Sequence, residues 1–339
     1  MLNNIEIKNL GPLNDIVWNN LSRINLVIGA NDSGKTFLLK TLYSAMRTLE
    51  DYKRGDERKK VAEILAEKLY WTFQPEKIGD LVTKGTNNTP LSCNITFDNQ
   101  TFFHYKFGKT TSKQISSIEN NVKPRSSNSI FLPAKEVLSL DSIILKSREQ
   151  DKTFGFDDTY LDLARALRSS PKGKSNDSEL TQVHQNIEKM LGGKVEYDEV
   201  SGRWQFKKGN QKFSIGVTAE GIKNLAILDN LLTTRYLDKE SIIFIDEPES
   251  ALHPVAISQL LDIVALLCEY GIQFFLASHS YFVVKKLFLL AQEKDLSIPV
   301  ISANQSEWQD VDLKNEMPDN PIIDESIRLY KEEMELAFK

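Results

Sequence analysis

Gly29-Ala30-Asn31-Asp32-Ser33-Gly34-Lys35-Thr36 fits the pattern G-x-x-x-x-G-K-[ST], and its flanks decide how far the match can be read. Before it, Ile24-Asn25-Leu26-Val27-Ile28 is an apolar, β-branched run of the kind that forms a buried strand. After it, residues 35–49 place Leu38, Leu42, Ala45, Met46 and Leu49 at helical spacing. Strand, glycine turn and helix together predict a phosphate-binding loop rather than a chance turn. Gly29 and Gly34 permit a backbone approach that a Cβ would block. The loop N–H groups, from Ala30 through Asn31, Asp32 and Ser33, and the helix N-terminus can then converge on phosphate oxygens. In that geometry Lys35 reaches the terminal phosphates and the Thr36 hydroxyl is placed to hold Mg²⁺.

The chain has 339 residues, 41% of them hydrophobic, which suffices for one large domain or two modest ones around a substantial core. Its net charge of −5 argues against wholesale coating of nucleic acid but leaves room for a local basic groove. No apolar run nears the roughly 20 residues of a membrane span. The start, Met1-Leu2-Asn3-Asn4-Ile5-Glu6, lacks the basic and apolar segments of a signal peptide. Cys93 and Cys268 lie far apart without metal-ligand spacing. These features predict a cytoplasmic protein with no membrane partner.

Away from the loop, residues 2–10 and 15–18 read as an antiparallel pair turned at Gly11-Pro12. A second amphipathic helix places Val61, Ile64, Leu65, Leu69 and Phe73 on one face. Residues 85–90 form a turn cluster, and 91–97 and 101–107 alternate around Asp98-Asn99-Gln100 as a hairpin. Ile130-Phe131-Leu132 is a short buried strand. Residues 158–167 and 180–191 are helical, separated by a polar linker over 169–177. Three short strands follow at 194–197, 203–207 and 211–215, and 221–234 is helical again. Strands at 241–245, 273–277 and 298–302 alternate with helices at 254–270 and 281–292, which means a largely parallel α/β sheet. A closing helix over 321–338 has Ile323, Ile327, Tyr330, Met334 and Phe338 in register.

Ile242-Ile243-Phe244-Ile245 runs into Asp246-Glu247, and an acidic pair at the carboxyl end of a buried strand is where a phosphate-loop protein holds its metal. Asp246 is the metal ligand with Thr36, and Glu247 is suited to take a proton from an attacking water. The expected crevice puts Lys35 and Asp246 at the ends of neighbouring parallel strands.

The continuation Pro248-Glu249-Ser250-Ala251-Leu252-His253-Pro254, taken with Asp246-Glu247, resembles the Walker B and D-loop segment of ABC-type ATPases. More narrowly, it resembles the soluble OLD-type heads, relatives of the RecF and SMC proteins. Ala277-Ser278-His279-Ser280 after an apolar strand is similar to the switch histidine of that superfamily, which touches the γ-phosphate. The resemblance implies an α/β P-loop NTPase, an ABC-type head with a mixed and antiparallel β part and an inserted helical subdomain. Its parts would be residues 1–134 with the P-loop, 135–215 as the helical insertion and hairpins, and 216–339 carrying the signature helix, Walker B, D-loop and switch. It implies ATP and Mg²⁺ as ligands and hydrolysis to ADP and phosphate, with Lys35, Glu247 and His279 in the chemistry. It further implies a signature loop that completes the site of a second copy. The matching residues are Thr218, Ala219, Glu220, Gly221 and Lys223, with Ala219 where the family has serine. A helix cap by Thr218 is the plainer reading of the same letters. The family's Q-loop glutamine has no match, and Lys135 or Glu136 stands at its place.

The same resemblance implies a head-to-tail homodimer with ATP sandwiched at its interface, in a bacterial or phage-defence setting. Only residues 291–339 follow the switch, too few for the Toprim nuclease domain of OLD proteins, so the effector, a nuclease or toxin, would be a separate protein. A DNA-repair ATPase of RecF type is the alternative. Lys53, Arg54, Arg58, Lys59 and Lys60 would then contact phosphates, as would Arg203, Lys207, Lys208 and Lys212. The motor subunit of a transporter is a weaker alternative, because the glutamine is missing and the signature is altered.

Overall fold

The computed structural model describes residues 1–13, 15–85, 89–97, 101–170, 178–218, 220–304 and 307–338. The middle of the 85–90 turn cluster, Asp98-Asn99-Gln100, residues 171–177 of the polar linker, and Ala219 lie outside the described residues. The chain opens with β1 (Leu2–Lys8), β2 (Ile16–Trp18) and β3 (Ile24–Ile28), then α1 (Lys35–Asp51) and α2 (Val61–Phe73). Next come β4 (Leu91–Phe97), β5 (Phe102–Phe107), β6 (Ser117–Asn120) and β7 (Ser129–Leu132). The inserted segment holds α3 (Asp141–Leu145), α4 (Asp158–Leu167), α5 (Ser178–Leu191), β8 (Lys194–Asp198), β9 (Arg203–Lys208) and β10 (Gln211–Ser214). The last part runs α6 (Glu220–Thr233), β11 (Ile242–Asp246), α7 (Pro254–Tyr270), β12 (Gln273–Ser278), α8 (Tyr281–Glu293), β13 (Pro299–Asn304), β14 (Glu307–Asp312) and α9 (Pro321–Ala337).

A six-stranded sheet in the order β14-β13-β3-β12-β11-β7 forms the centre, parallel except where β14 pairs antiparallel with β13. Its central strands are buried on both faces, which is why β3, β11 and β12 read as near-continuous apolar runs. Alternate residues serve two separate cores. Leu26, Ile28, Ile243, Ile245, Phe274 and Leu276 pack with α6, α7 and α8. Val27, Phe244, Phe275 and Ala277 pack with α1 and with the antiparallel sheet β2-β1-β4-β5-β6. This is an α/β P-loop NTPase fold with an antiparallel β part and an inserted helical segment, as expected.

One expectation needs correction, and two features go beyond the sequence reading. The P-loop strand and the Asp246 strand are not neighbours, because β12 lies between them. Strands β6 and β14 were not read in the sequence: Ser-Ile-Glu-Asn and Glu-Trp-Gln-Asp-Val-Asp are polar edge strands with one neighbour each, so no apolar run marks them. The closing helix packs by its first turn only. Ile323 is buried, while Ile327, Tyr330, Met334 and Phe338 are exposed.

Candidate functional site

Parallel register lines up the carboxyl ends of the three central strands. Ile28 pairs with Ser278 and Ala277 with Asp246, so the P-loop, the Ser278-His279 turn and the acidic pair open onto one edge.

The loop conformation follows from its glycines. Gly34 has φ +90°, and a Cβ there would sit 2.4 Å from Leu13 Cδ2. A Cβ on Gly29 would meet Ser33 Oγ at 2.7 Å and Ala303 Cβ at 2.8 Å. Because Gly34 caps α1 without a side chain and the first turn carries no acid, the helix leaves its amino-terminal N–H groups to an anion. The Ser33 hydroxyl is buried without a hydrogen-bond partner among the described residues. Lys35 Nζ donates to the carbonyls of Gly29 and Ala30, both at 2.8 Å. Burial pushes the Lys35 ammonium down from its usual range, while the carboxylates of Asp246, Glu247, Glu249 and Asp32 oppose that shift.

Thr36 Oγ1 lies 2.9 Å from both carboxylate oxygens of Asp246. Asp246 is nine-tenths buried, and burial pushes its carboxyl up to about 6, with the Thr36 hydrogen bond acting the other way. A buried carboxylate and a hydroxyl, all oxygen, fit a hard divalent cation. Among the described residues no group of three or more His, Cys, Asp or Glu could hold a metal by itself. One carboxylate and one hydroxyl are a donor set that Mg²⁺, which keeps waters and shares substrate phosphates, can accept.

Glu247 adopts φ +50° and Ala251 φ +56°, left-handed conformations that non-glycine residues reach at a cost. His279 Nδ1 is 3.5 Å from Glu247 Oε1 and 3.5 Å from Glu249 Oε1. Glu249 is the better anchored of the two acids. Its Oε1 accepts from the Ser278 hydroxyl and from the His279 N–H, each at 2.9 Å, and its buried Oε2 has no partner among the described residues. It thereby ties the segment after Asp246 to the histidine turn.

Of the signature residues, Thr218 is described at the end of a short 3-10 turn, and its hydroxyl returns to the Ser214 carbonyl at 3.3 Å. The backbone of Glu220 and Gly221 begins α6. Lys223 is buried within its own chain, with Nζ 3.9 Å from Glu136 Oε2. Glu136 also accepts from Ser139, and Lys135 is exposed; neither lines the cavity beside the P-loop.

That cavity has a volume of about 840 Å³ and includes Lys35, Thr36 and Glu247 in its wall. Sequence reasoning missed several of its other residues. Phe37 and Phe73 contact each other, with ring centroids 4.4 Å apart, and Lys40 and Asp157 form an ion pair at 2.6 Å. Lys40 stands one turn after Thr36, a spacing visible in the sequence, but nothing there points to Asp157 as its partner.

Residues 24–285 match the family described as AAA domain, putative AbiEii toxin, Type IV TA system. No curated protein matches the chain. Among solved structures, the chain is similar to the SmcHead bound to the C-winged helix domain of ScpA. Identity is 13%, the TM-score 0.54, and 92% of this chain and 97% of that chain are covered. It is also similar to an Smc head domain with an extended coiled coil bound to the C-terminal domain of ScpA derived from Pyrococcus furiosus. There the identity is 12%, the TM-score 0.51, and 98% of each chain is covered. At such identity the likeness is one of fold. No helix among the described residues is long and apolar enough to cross a membrane.

Proposed function

We propose a function from one premise: the chain belongs to the AAA-domain family described as putative AbiEii toxin, Type IV TA system. It is an ATPase that binds Mg·ATP and hydrolyses it to ADP and phosphate. The observation that carries this reading is the Thr36–Asp246 contact at 2.9 Å, which joins the P-loop helix to the acidic strand end 210 residues away. Backbone N–H groups from Gly29 to Thr36 hold the phosphates, with Lys35 turning from the Gly29 and Ala30 carbonyls towards the terminal oxygens. Thr36 and Asp246 would hold Mg²⁺, which when bound neutralises charge on the phosphates. Glu247, beside His279 and held in a left-handed conformation, accepts the proton of the attacking water. His279 donates to the terminal phosphate.

The site also supports the composite reading. Asp246, Glu247 and His279 lie at an open edge, and Thr218, Glu220 and Gly221, with Ala219 between them, would close the site of a second copy. ATP then joins two heads and hydrolysis releases them. An OLD-like defence role with a nuclease or toxin as effector is the finer reading, and the family description supports the toxin context. The DNA-repair alternative keeps its interest because SMC heads share the fold. Light scattering of the Glu247→Gln protein with Mg·ATP tests the switch. A dimer that forms with ATP and disperses with ADP is expected, and a mass indifferent to nucleotide overturns it.

A further inference from the structure

The α1 helix presents Thr36 and Lys40 on one face, a turn apart, and each meets a carboxylate from a different part of the chain. Thr36 meets Asp246 from the sheet, and Lys40 Nζ donates to Asp157 Oδ2 at 2.6 Å. Asp157 belongs to the inserted segment and is its one residue in the wall of the P-loop cavity among those described. It is also the cap of α4: its Oδ1 accepts from the Thr159 N–H at 2.8 Å and the Thr159 hydroxyl at 2.5 Å. Tyr160, on the next residue, senses both acids, because burial first and then the Asp157 and Asp246 carboxylates push its phenol up to about 12. One turn further along, α4 is fastened to α1 and α2 through Asp162. That residue accepts from Tyr43 at 2.8 Å and Lys68 at 3.1 Å, with Arg47 at 3.4 Å. The far contacts are buried and multiple, whereas beside the phosphate loop the segment is held by this ion pair and by Gln74, which donates to the Phe156 carbonyl at 3.0 Å and accepts from the Gly155 N–H at 3.3 Å.

We propose that Lys40 and Asp157 form a positioning pair that couples nucleotide occupancy to the inserted helical segment. The inference rests on the nucleotide reading above. A polyphosphate on the P-loop adds negative charge next to Lys40 and competes with Asp157 for its ammonium. A released Asp157 remains the cap of α4, so the change is felt in the first turn of α4 and in residues 146–156 leading to it. The buried Asp162 contacts keep the rest of α4 in place.

The test compares wild type, Asp157→Asn and Lys40→Met. Asparagine caps helices as well as aspartate does, so the first variant removes the charge and keeps the helix start. Hydrogen exchange of residues 146–170 is followed with and without a non-hydrolysable ATP analogue and Mg²⁺. Wild type should show a nucleotide-dependent change that both variants lose, with kcat lowered about tenfold and KM altered less than about threefold. A wild-type-sized change in both variants, or no change in a wild type that binds the analogue, overturns the pair. A wild type that does not bind the analogue overturns the nucleotide reading itself and the coupling with it.

Discussion

Two of the acids that meet α1, Asp246 beside Thr36 and Asp162 beside Tyr43 and Arg47, are treated in opposite ways. At the sheet edge, Asp246 has a hydroxyl for its neighbour and its carboxyl is pushed up to about 6. Glu247 is held at φ +50°, Lys35 is pushed down by burial, and Glu249 keeps one buried oxygen unpaired. Along the seam between α1 and α4, Asp162 instead has Lys68, Arg47 and Tyr43 around it. The first region keeps charge and strain available to a ligand, and the second resolves them within the chain. Substitutions at the edge should therefore change binding and turnover, while those in the seam should change stability.

The largest effect is expected in the seam. Asp162→Asn removes the acid shared by Lys68 and Arg47, which keep Glu50, Asp51 and Asp158 beside them, and should cost about 3 kcal/mol in chemical denaturation at neutral pH. Burial opposes ionisation of Asp162, but Lys68 and Arg47 outweigh it and hold the carboxyl well below its usual range. A depressed native value means that the stabilisation is present above the unfolded carboxyl value, near pH 4, and is lost as pH falls further. The gap between wild type and variant should accordingly narrow on acidification below about pH 4; a gap constant with pH would place the loss in packing rather than charge.

Next, Lys35→Ala should weaken ATP binding on the order of a hundredfold in calorimetric titration while the denaturation midpoint stays put. Unchanged affinity would remove the phosphate loop from the account. Smaller again is Glu249→Ala, which frees the His279 turn. Turnover should fall about tenfold with little change in nucleotide affinity, and Glu249→Gln should restore most of it because an amide oxygen can accept the same two hydrogen bonds. A loss of binding equal to the loss of turnover would make Glu249 a structural prop. Smallest is Phe338→Ser at the exposed end of α9, expected to move stability by less than about 0.5 kcal/mol. A larger loss would mean that this helix is covered in solution.

The contrast also explains what was legible in the sequence. Edge chemistry sits where the chain leaves a buried strand, so Lys35, Asp246, Glu247 and His279 each follow an apolar run that marks them. The insertion of β12 between the P-loop and Asp246 strands was not announced, because parallel strands of similar composition carry no order. The contacts of the inserted segment gave no such signal. The meeting of Asp157 with Lys40, 117 residues earlier, is a consequence of tertiary packing. Lys223 is assigned from a motif position, and its neighbour Glu136 within the chain carries no sequence signal. The apolar register of α9 was correctly seen, but periodicity cannot say what a face packs against.

Phosphate release by wild type and by Glu247→Gln, at nucleotide concentrations that saturate both, tests the central claim most directly. The account predicts Mg²⁺-dependent turnover by wild type and a fall on the order of a hundredfold in the variant with ATP still bound. Equal rates in the two proteins would contradict it.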